Sequence, residues 1–164
     1  MERKLHELYG KIAAQAASMI PVKWDKVYLL GQIEKKRASE SCCFHYVESE
    51  SGRTVHYNSL ARNLRDFSEN YSPALGILGD IIMEVYDVFE DNNQELWEQM
   101  SLTLESTGKF NVEFFYDVSH DDDGGHYGRE IVWEYETFGY MPPEATTDRR
   151  LLDAHLDREK NKPK

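Results

Sequence analysis

The run Gln99-Met100-Ser101-Leu102-Thr103-Leu104-Glu105-Ser106-Thr107-Gly108-Lys109-Phe110-Asn111-Val112-Glu113-Phe114-Phe115-Tyr116 decides the fold class. Met100, Leu102 and Leu104 alternate with Gln99, Ser101, Thr103 and Glu105, the period of a strand with one face buried. Ser106 to Lys109, with Gly108, reads as a turn, and Phe110, Val112, Phe114 and Tyr116 then alternate again. Two alternating runs joined by a short turn form an antiparallel hairpin.

Working outward, the segment before the hairpin is helical. Ala74, Leu75, Leu78, Ile81, Ile82, Val85 and Phe89 recur at helix spacing after Pro73, and Asn92 and Asn93 end the pattern. Residues 59–71 carry Leu60, Leu64 and Phe67 at helical steps and read as helix or irregular loop. Further upstream, Leu5, Leu8, Ile12, Ala16, Met19 and Ile20 mark a helix over about residues 3–20, stopped by Pro21. Residues 26–34 alternate, with Val27, Leu29 and Ile33 on one face and Tyr28, Leu30 and Gln32 on the other. Residues 35–41 form a polar turn, residues 42–48 a second strand, and residues 54–57 a third short one after the Gly52 turn. Downstream, an acidic, glycine-bearing loop over residues 117–128 leads to a segment, 129–138, that reads as a helix ending at Gly139, with strand as the competitor because of its aromatics. Pro142 and Pro143 precede a last amphipathic helix through Leu151, Leu152 and Leu156. The expected fold is α+β, a single antiparallel sheet of about five strands covered by N-terminal, middle and C-terminal helices. One domain is expected over residues 1–158, with a frayed basic tail over 159–164.

Composition narrows function. In 164 residues there are thirty acidic and nineteen basic side chains, a formal charge of −11, which opposes binding to nucleic-acid phosphates and anionic membranes and favours a basic protein partner. Forty per cent hydrophobic residues and ten tyrosines indicate an ordered globule. Cys42 and Cys43 are the only cysteines; neighbours on a strand point to opposite faces, so two reduced thiols and a cytoplasmic location are expected. No apolar run is long enough for a membrane helix, and Gln15 and Ser18 interrupt what would be a signal-peptide core.

Catalytic patterns are lacking. The sequence has no nucleophile elbow, glycine-rich phosphate loop or C-x-x-C pair, so no catalytic or cofactor-binding residue and no enzyme activity are assigned. Ser119, Asp121, Asp123 and Glu130 fall on positions one, three, five and twelve of a calcium loop. Ser at position one and a strand where that motif wants a helix favour a solvated acidic loop. His120 and His126 flank this run without a diagnostic metal spacing. His45 and His56 fall on neighbouring expected strands, where a hairpin could bring them together; such pairs are more often surface or satisfied core residues than ligands.

Binding fits the charge distribution better. Carboxylates gather on the outside of the middle helix (Glu84, Asp87, Glu90, Asp91), in the loop (Asp117, Asp121, Asp122, Asp123) and beyond it (Glu130, Glu134, Glu136). Tyr116, Tyr127, Tyr135 and Tyr140 lie among the later charges as candidate interface anchors. The partner-binding set read from charge and composition is Glu84, Asp87, Glu90, Asp91, Asp121, Asp122, Asp123, Tyr127, Glu130 and Glu134.

Three blocks carry a family resemblance. Leu8-Tyr9, Ile12 and Met19-Ile20-Pro21, then Trp24-Asp25-Lys26-Val27-Tyr28, form the first. The second runs from Glu95-Leu96-Trp97 through Leu102-Thr103-Leu104 and Gly108-Lys109-Phe110 to Tyr116-Asp117. The third is Arg129 through Val132-Trp133-Glu134-Tyr135, Gly139 and Pro142. In this order they resemble the YezG-type immunity protein family, which includes the EsaG-like antitoxins. The region from Ser59 to Gly79 matches least well. The resemblance implies a protein that binds and neutralises the C-terminal nuclease domain of a cognate LXG-type toxin, exported by a type VII system of Gram-positive bacteria. It supplies no catalytic residues. The alternatives are an acidic protein-binding module for a different partner and a metal-dependent enzyme using the Asp121 loop.

Overall fold

The computed structural model describes residues 1–34, 37–63, 72–119 and 123–163, without the side chains of 58–63. The elements, in chain order, are α1 (Glu2–Met19), β1 (Trp24–Ile33), β2 (Ser39–Glu48), β3 (Thr54–Asn63), α2 (Pro73–Asp91), β4 (Gln99–Glu105), β5 (Phe110–Phe115), α3 (Gly125–Phe138) and α4 (Thr147–Lys160). The chain forms two compact units, Met1–Asp117 and Val118–Lys164.

The first unit holds the whole sheet. Its strands are all antiparallel in the order β3-β2-β1-β4-β5, so β1, β2 and β3 form a meander and the β4–β5 hairpin joins it beside β1. The fold is α+β, as expected. Alternation sorts the side chains. Val27, Leu29, Ile33, Cys42, Phe44, Tyr46, Met100, Leu102 and Leu104 share one core with Leu5, Leu8 and Ile12 of α1 and Leu75, Leu78, Ile82, Val85 and Phe89 of α2. Each of the fully buried aliphatic side chains contributes about 1.5–3 kcal/mol by leaving water. α2 lies close to β1: a Cβ on Gly31 would stand only 2.8 Å from Ile82 Cγ2, a separation that glycine alone permits. Trp97 closes the core beside Phe114 and edge-on to Tyr86, each 5.4 Å away between ring centroids.

Two readings change. β3 continues through Asn63, pairing Cys42 with Leu60 and Ser39 with Asn63, so residues 59–63 are strand rather than helix or loop; residues 64–71 lie outside the described ones. From Leu29 to Ile33 β1 is buried at every residue, including Leu30 and Gln32, so both faces of the strand are shielded from water there and alternation no longer sorts buried from exposed.

In the second unit α3 packs with α4. Residues 129–138 are helical, as their spacing suggests, and the helix starts four residues earlier, at Gly125. Asp123 makes that start. Its Oδ1 accepts the Gly125 N–H at 2.8 Å, satisfying a donor that the first turn leaves without an intrahelical partner. Thr146 caps α4, its hydroxyl accepting the Arg149 N–H at 3.1 Å and donating to the Pro143 carbonyl at 2.7 Å.

Candidate partner-binding surfaces

α2 is a rigid support for charge. Ser72 caps it, Pro73 starts it, and its apolar stripe is sunk in the core. The opposite side carries Asp80, Glu84, Asp87 and Asp91, at steps of four, three and four, with Asp80, Glu84 and Asp91 exposed and Asp87 partly so. At the helix rise this row is about 16 Å long. Ile77, half exposed, stands one turn before it. Like charges one turn apart each cost a few tenths of a kcal/mol.

Arg37 partly offsets that repulsion. From a left-handed backbone position with φ of 55°, its Nη2 donates to Asp87 Oδ1 and Glu90 Oε2, both at 2.5 Å. Its guanidinium also lies over the Tyr86 ring, 4.9 Å from the centroid. Burial raises the Tyr86 pKa, and the nearby Arg37 charge opposes the rise. The four carboxylates read from the sequence thus divide: Glu84 and Asp91 stand open, whereas Asp87 and Glu90 share one guanidinium. Asp80 and Ile77 extend the same face and were missed, although Asp80, Glu84, Asp87 and Asp91 follow the helical spacing i, i+4, i+7, i+11.

The later candidates also divide. Asp123 is buried, its Oδ2 paired with Arg129 Nη1 at 2.8 Å and its Oδ1 with Gly125. Both oxygens therefore serve the start of α3. Glu130 is buried as well and Glu134 is partly buried. Tyr127 is 55% exposed, with its hydroxyl donating to Asp148 Oδ1 at 2.6 Å. That hydrogen bond first, then burial and the neighbouring carboxylates, pushes its pKa up to about 12. Ser119 precedes residues 120–122, so the acidic run with His120, Asp121 and Asp122 lies outside the described residues.

An aromatic cluster marks the start of β5. Phe110, 40% exposed, meets His6 and Tyr9 of α1 edge-on, at 6.3 and 6.0 Å. The sequence pattern assigned Phe110 simply to the alternating run. β5 is an edge strand and so offers one side of its backbone for further pairing.

Comparison with known proteins places this arrangement. The model of the family described as immunity protein YezG-like matches residues 5–152. The chain belongs to this family. The match takes in every element of the sheet, α3, and the first turns of α4. Among individual relatives, the immunity protein YezG of Bacillus spizizenii strain W23 is 28% identical over 152 residues, 92% of either chain. The immunity protein YezG of Bacillus subtilis strain 168 is 26% identical over 154 residues, covering 93% of this chain and 99% of the relative. The type VII secretion system protein EsaG of Staphylococcus aureus strain NCTC 8325 is 27% identical over 148 residues, 86% of this chain and 85% of that one.

Among the described residues no helix is long and apolar enough to cross a membrane. Cys42 and Cys43 are both buried thiols, in keeping with the expectation of two thiols rather than a disulfide.

Proposed function

We propose that this chain is an immunity protein that binds and neutralises the C-terminal nuclease domain of a cognate secreted toxin in the producer's cytoplasm. Family membership across residues 5–152 is the observation that carries this reading. Charge supports the choice of a nuclease. A protein of net charge −11 is repelled by DNA but attracted to the cationic groove with which a nuclease holds it. The open carboxylates of α2, Glu84 and Asp91, with Asp87 and Glu90 beside them, steer the encounter, and exposed aromatics such as Tyr127 supply area once water is expelled. Asp121, Asp122 and Glu134 are further partner contacts in this reading, chosen for their charge in the sequence. Asp123, being buried, acts in it only by holding the start of α3 in place, and Glu130 is buried as well.

Purified protein mixed with the nuclease domain encoded beside its gene is expected to co-elute with it and to abolish DNA cleavage at equimolar concentration. Absence of both co-elution and inhibition of cleavage would sink the proposal. Co-elution with cleavage intact would replace neutralisation by some other binding role.

A further inference from the structure

Cys43, His45 and His56 come together on the sheet face opposite the α1–α2 core. Cys43 and His45 are two residues apart on β2, so both project to that face, and His56 of β3 is the register partner of His45. The two imidazole centroids are 4.6 Å apart. One donor atom from each of the three side chains lies within 4.8 Å of the others. The sheet is irregular at this point. Between the Cys42–Leu60 and Phe44–Tyr57 pairs β3 has two residues, 58 and 59, opposite the single Cys43 of β2, a bulge of the kind that re-aims side chains beside functional sites.

We propose that Cys43 Sγ and one ring nitrogen each of His45 and His56 form a binding site for a divalent transition metal, zinc above all. One thiolate with two imidazoles suits zinc and excludes calcium and magnesium, which take oxygen donors. Zinc bonds of about 2.3 Å to sulfur and 2.0–2.1 Å to nitrogen put tetrahedral donors about 3.5 Å apart. From separations of at most 4.8 Å, the three donors therefore close on one another by about 1.3 Å or less on binding. His56, on the edge strand, is the exposed member of the three, so its ring makes most of that movement. Three protein donors leave a fourth position for water or one further donor. The Cys43 thiol releases its proton to solvent as the metal–sulfur bond forms. The adjacent Cys42 takes no part: it faces the core, its S–H donating to the Leu75 carbonyl at 3.7 Å. In this role the metal clips β3 to β2, and the site stands independently of the toxin-binding reading.

The test uses full-length protein, reduced and stripped with chelator, titrated anaerobically with cobalt(II). Expected are a thiolate-to-cobalt charge-transfer band and the intense visible bands of four-coordinate cobalt, saturating at one equivalent, bleached by zinc, with a higher Tm for the zinc form. Losing an outer partner of a ligand costs ten- to hundredfold in metal affinity, so His56→Gln, losing a ligand itself, should weaken zinc binding by about a hundredfold or more. Cys43→Ser should lose the charge-transfer band and Cys42→Ala should keep it. Because His56 is exposed, His56→Gln remains decisive even if Cys43→Ser does not fold. Absence of the charge-transfer band in the parent protein, or unchanged zinc affinity in His56→Gln, would overturn the site.

Discussion

The Tyr127 hydroxyl ties α3 to α4 through Asp148 and holds its proton unusually firmly, with a pKa raised from 10.0 to about 12. A group whose folded pKa exceeds its unfolded value stabilises the fold fully below the unfolded pKa and loses that contribution as pH rises through the folded one. The stabilisation from this contact should therefore be intact below pH 10 and vanish between pH 10 and 12. Tyrosinate absorbance should show one group ionising near pH 12 that is missing from Tyr127→Phe; superimposable titrations would contradict the assignment. Burial raises Tyr9 and Tyr116 in the same direction, so the difference between the two proteins is the measurement that isolates Tyr127. Glycines give a second contrast at this scale. A Cβ on Gly128 would lie 1.7 Å from the Asp123 carbonyl oxygen, whereas one on Gly10 meets nothing within 4 Å. Gly128→Ala should cost about 3 kcal/mol or more, because backbone rather than a side-chain tip must move. Gly10→Ala, within α1, should instead stabilise by about 0.5–1 kcal/mol. Urea denaturation of both variants checks the opposite signs.

Among the elements, α4 depends most on one side chain. Thr146 accepts from Arg149 N–H and donates to Pro143 O, so Thr146→Ala should destabilise by about 1 kcal/mol while Thr146→Ser stays close to the parent, read from denaturation midpoints. The same elements show where sequence is informative. β4 and β5 were legible because one face of each is the less exposed, so alternation survives in the residues: Met100, Leu102 and Leu104 are buried and Ser101 and Thr103 less so, while Val112 and Phe114 are partly buried and Asn111 and Glu113 exposed. α2 was legible because Ser72, Pro73 and Asn92 bracket a continuous apolar stripe. β3 was not. Among the described strands it pairs with β2 alone, at the sheet edge, and its second half, Asn58 to Asn63, is mostly polar and bulged opposite Cys43. There Leu60, followed by Leu64 and Phe67, mimics a helical repeat. The start of α3 was hidden for a different reason. Gly125 and Gly128 are poor helix formers, and the helix begins there because of the Asp123–Arg129 pair and the close approach at Gly128, contacts between residues whose spacing announces nothing. For the candidate surface, spacing located the α2 carboxylates but not the Arg37 bridge. That bridge joins residues fifty or more positions apart, beyond any local pattern.

At the scale of the whole molecule, a charge of −11 acts mainly on the rate of encounter rather than on the strength of the final contact. Screening shortens the reach of exposed charges to about 10 Å at 0.1 M salt, so association with a basic nuclease domain should slow by about tenfold or more from low to physiological ionic strength, with dissociation nearly unchanged. The α2 row makes the prediction specific. Reversing Glu84 and Asp91 to lysine, two charge units each, takes the formal charge from −11 to −7 in residues that support no packing, and should slow association while flattening its salt dependence. Arg37→Ala should act in the opposite direction. It lowers the formal charge from −11 to −12 and releases Asp87 and Glu90 from their guanidinium. Its stability cost from the partly exposed ion pairs is about 1 kcal/mol or less. Stopped-flow association rates across a salt series distinguish steering by α2 from a general effect of net charge. If the two variants shift the rate in opposite senses by more than charge-matched reversals at Glu2 and Glu7 of α1, α2 faces the partner. If reversals on either helix act alike, net charge alone sets the rate and the binding face lies elsewhere.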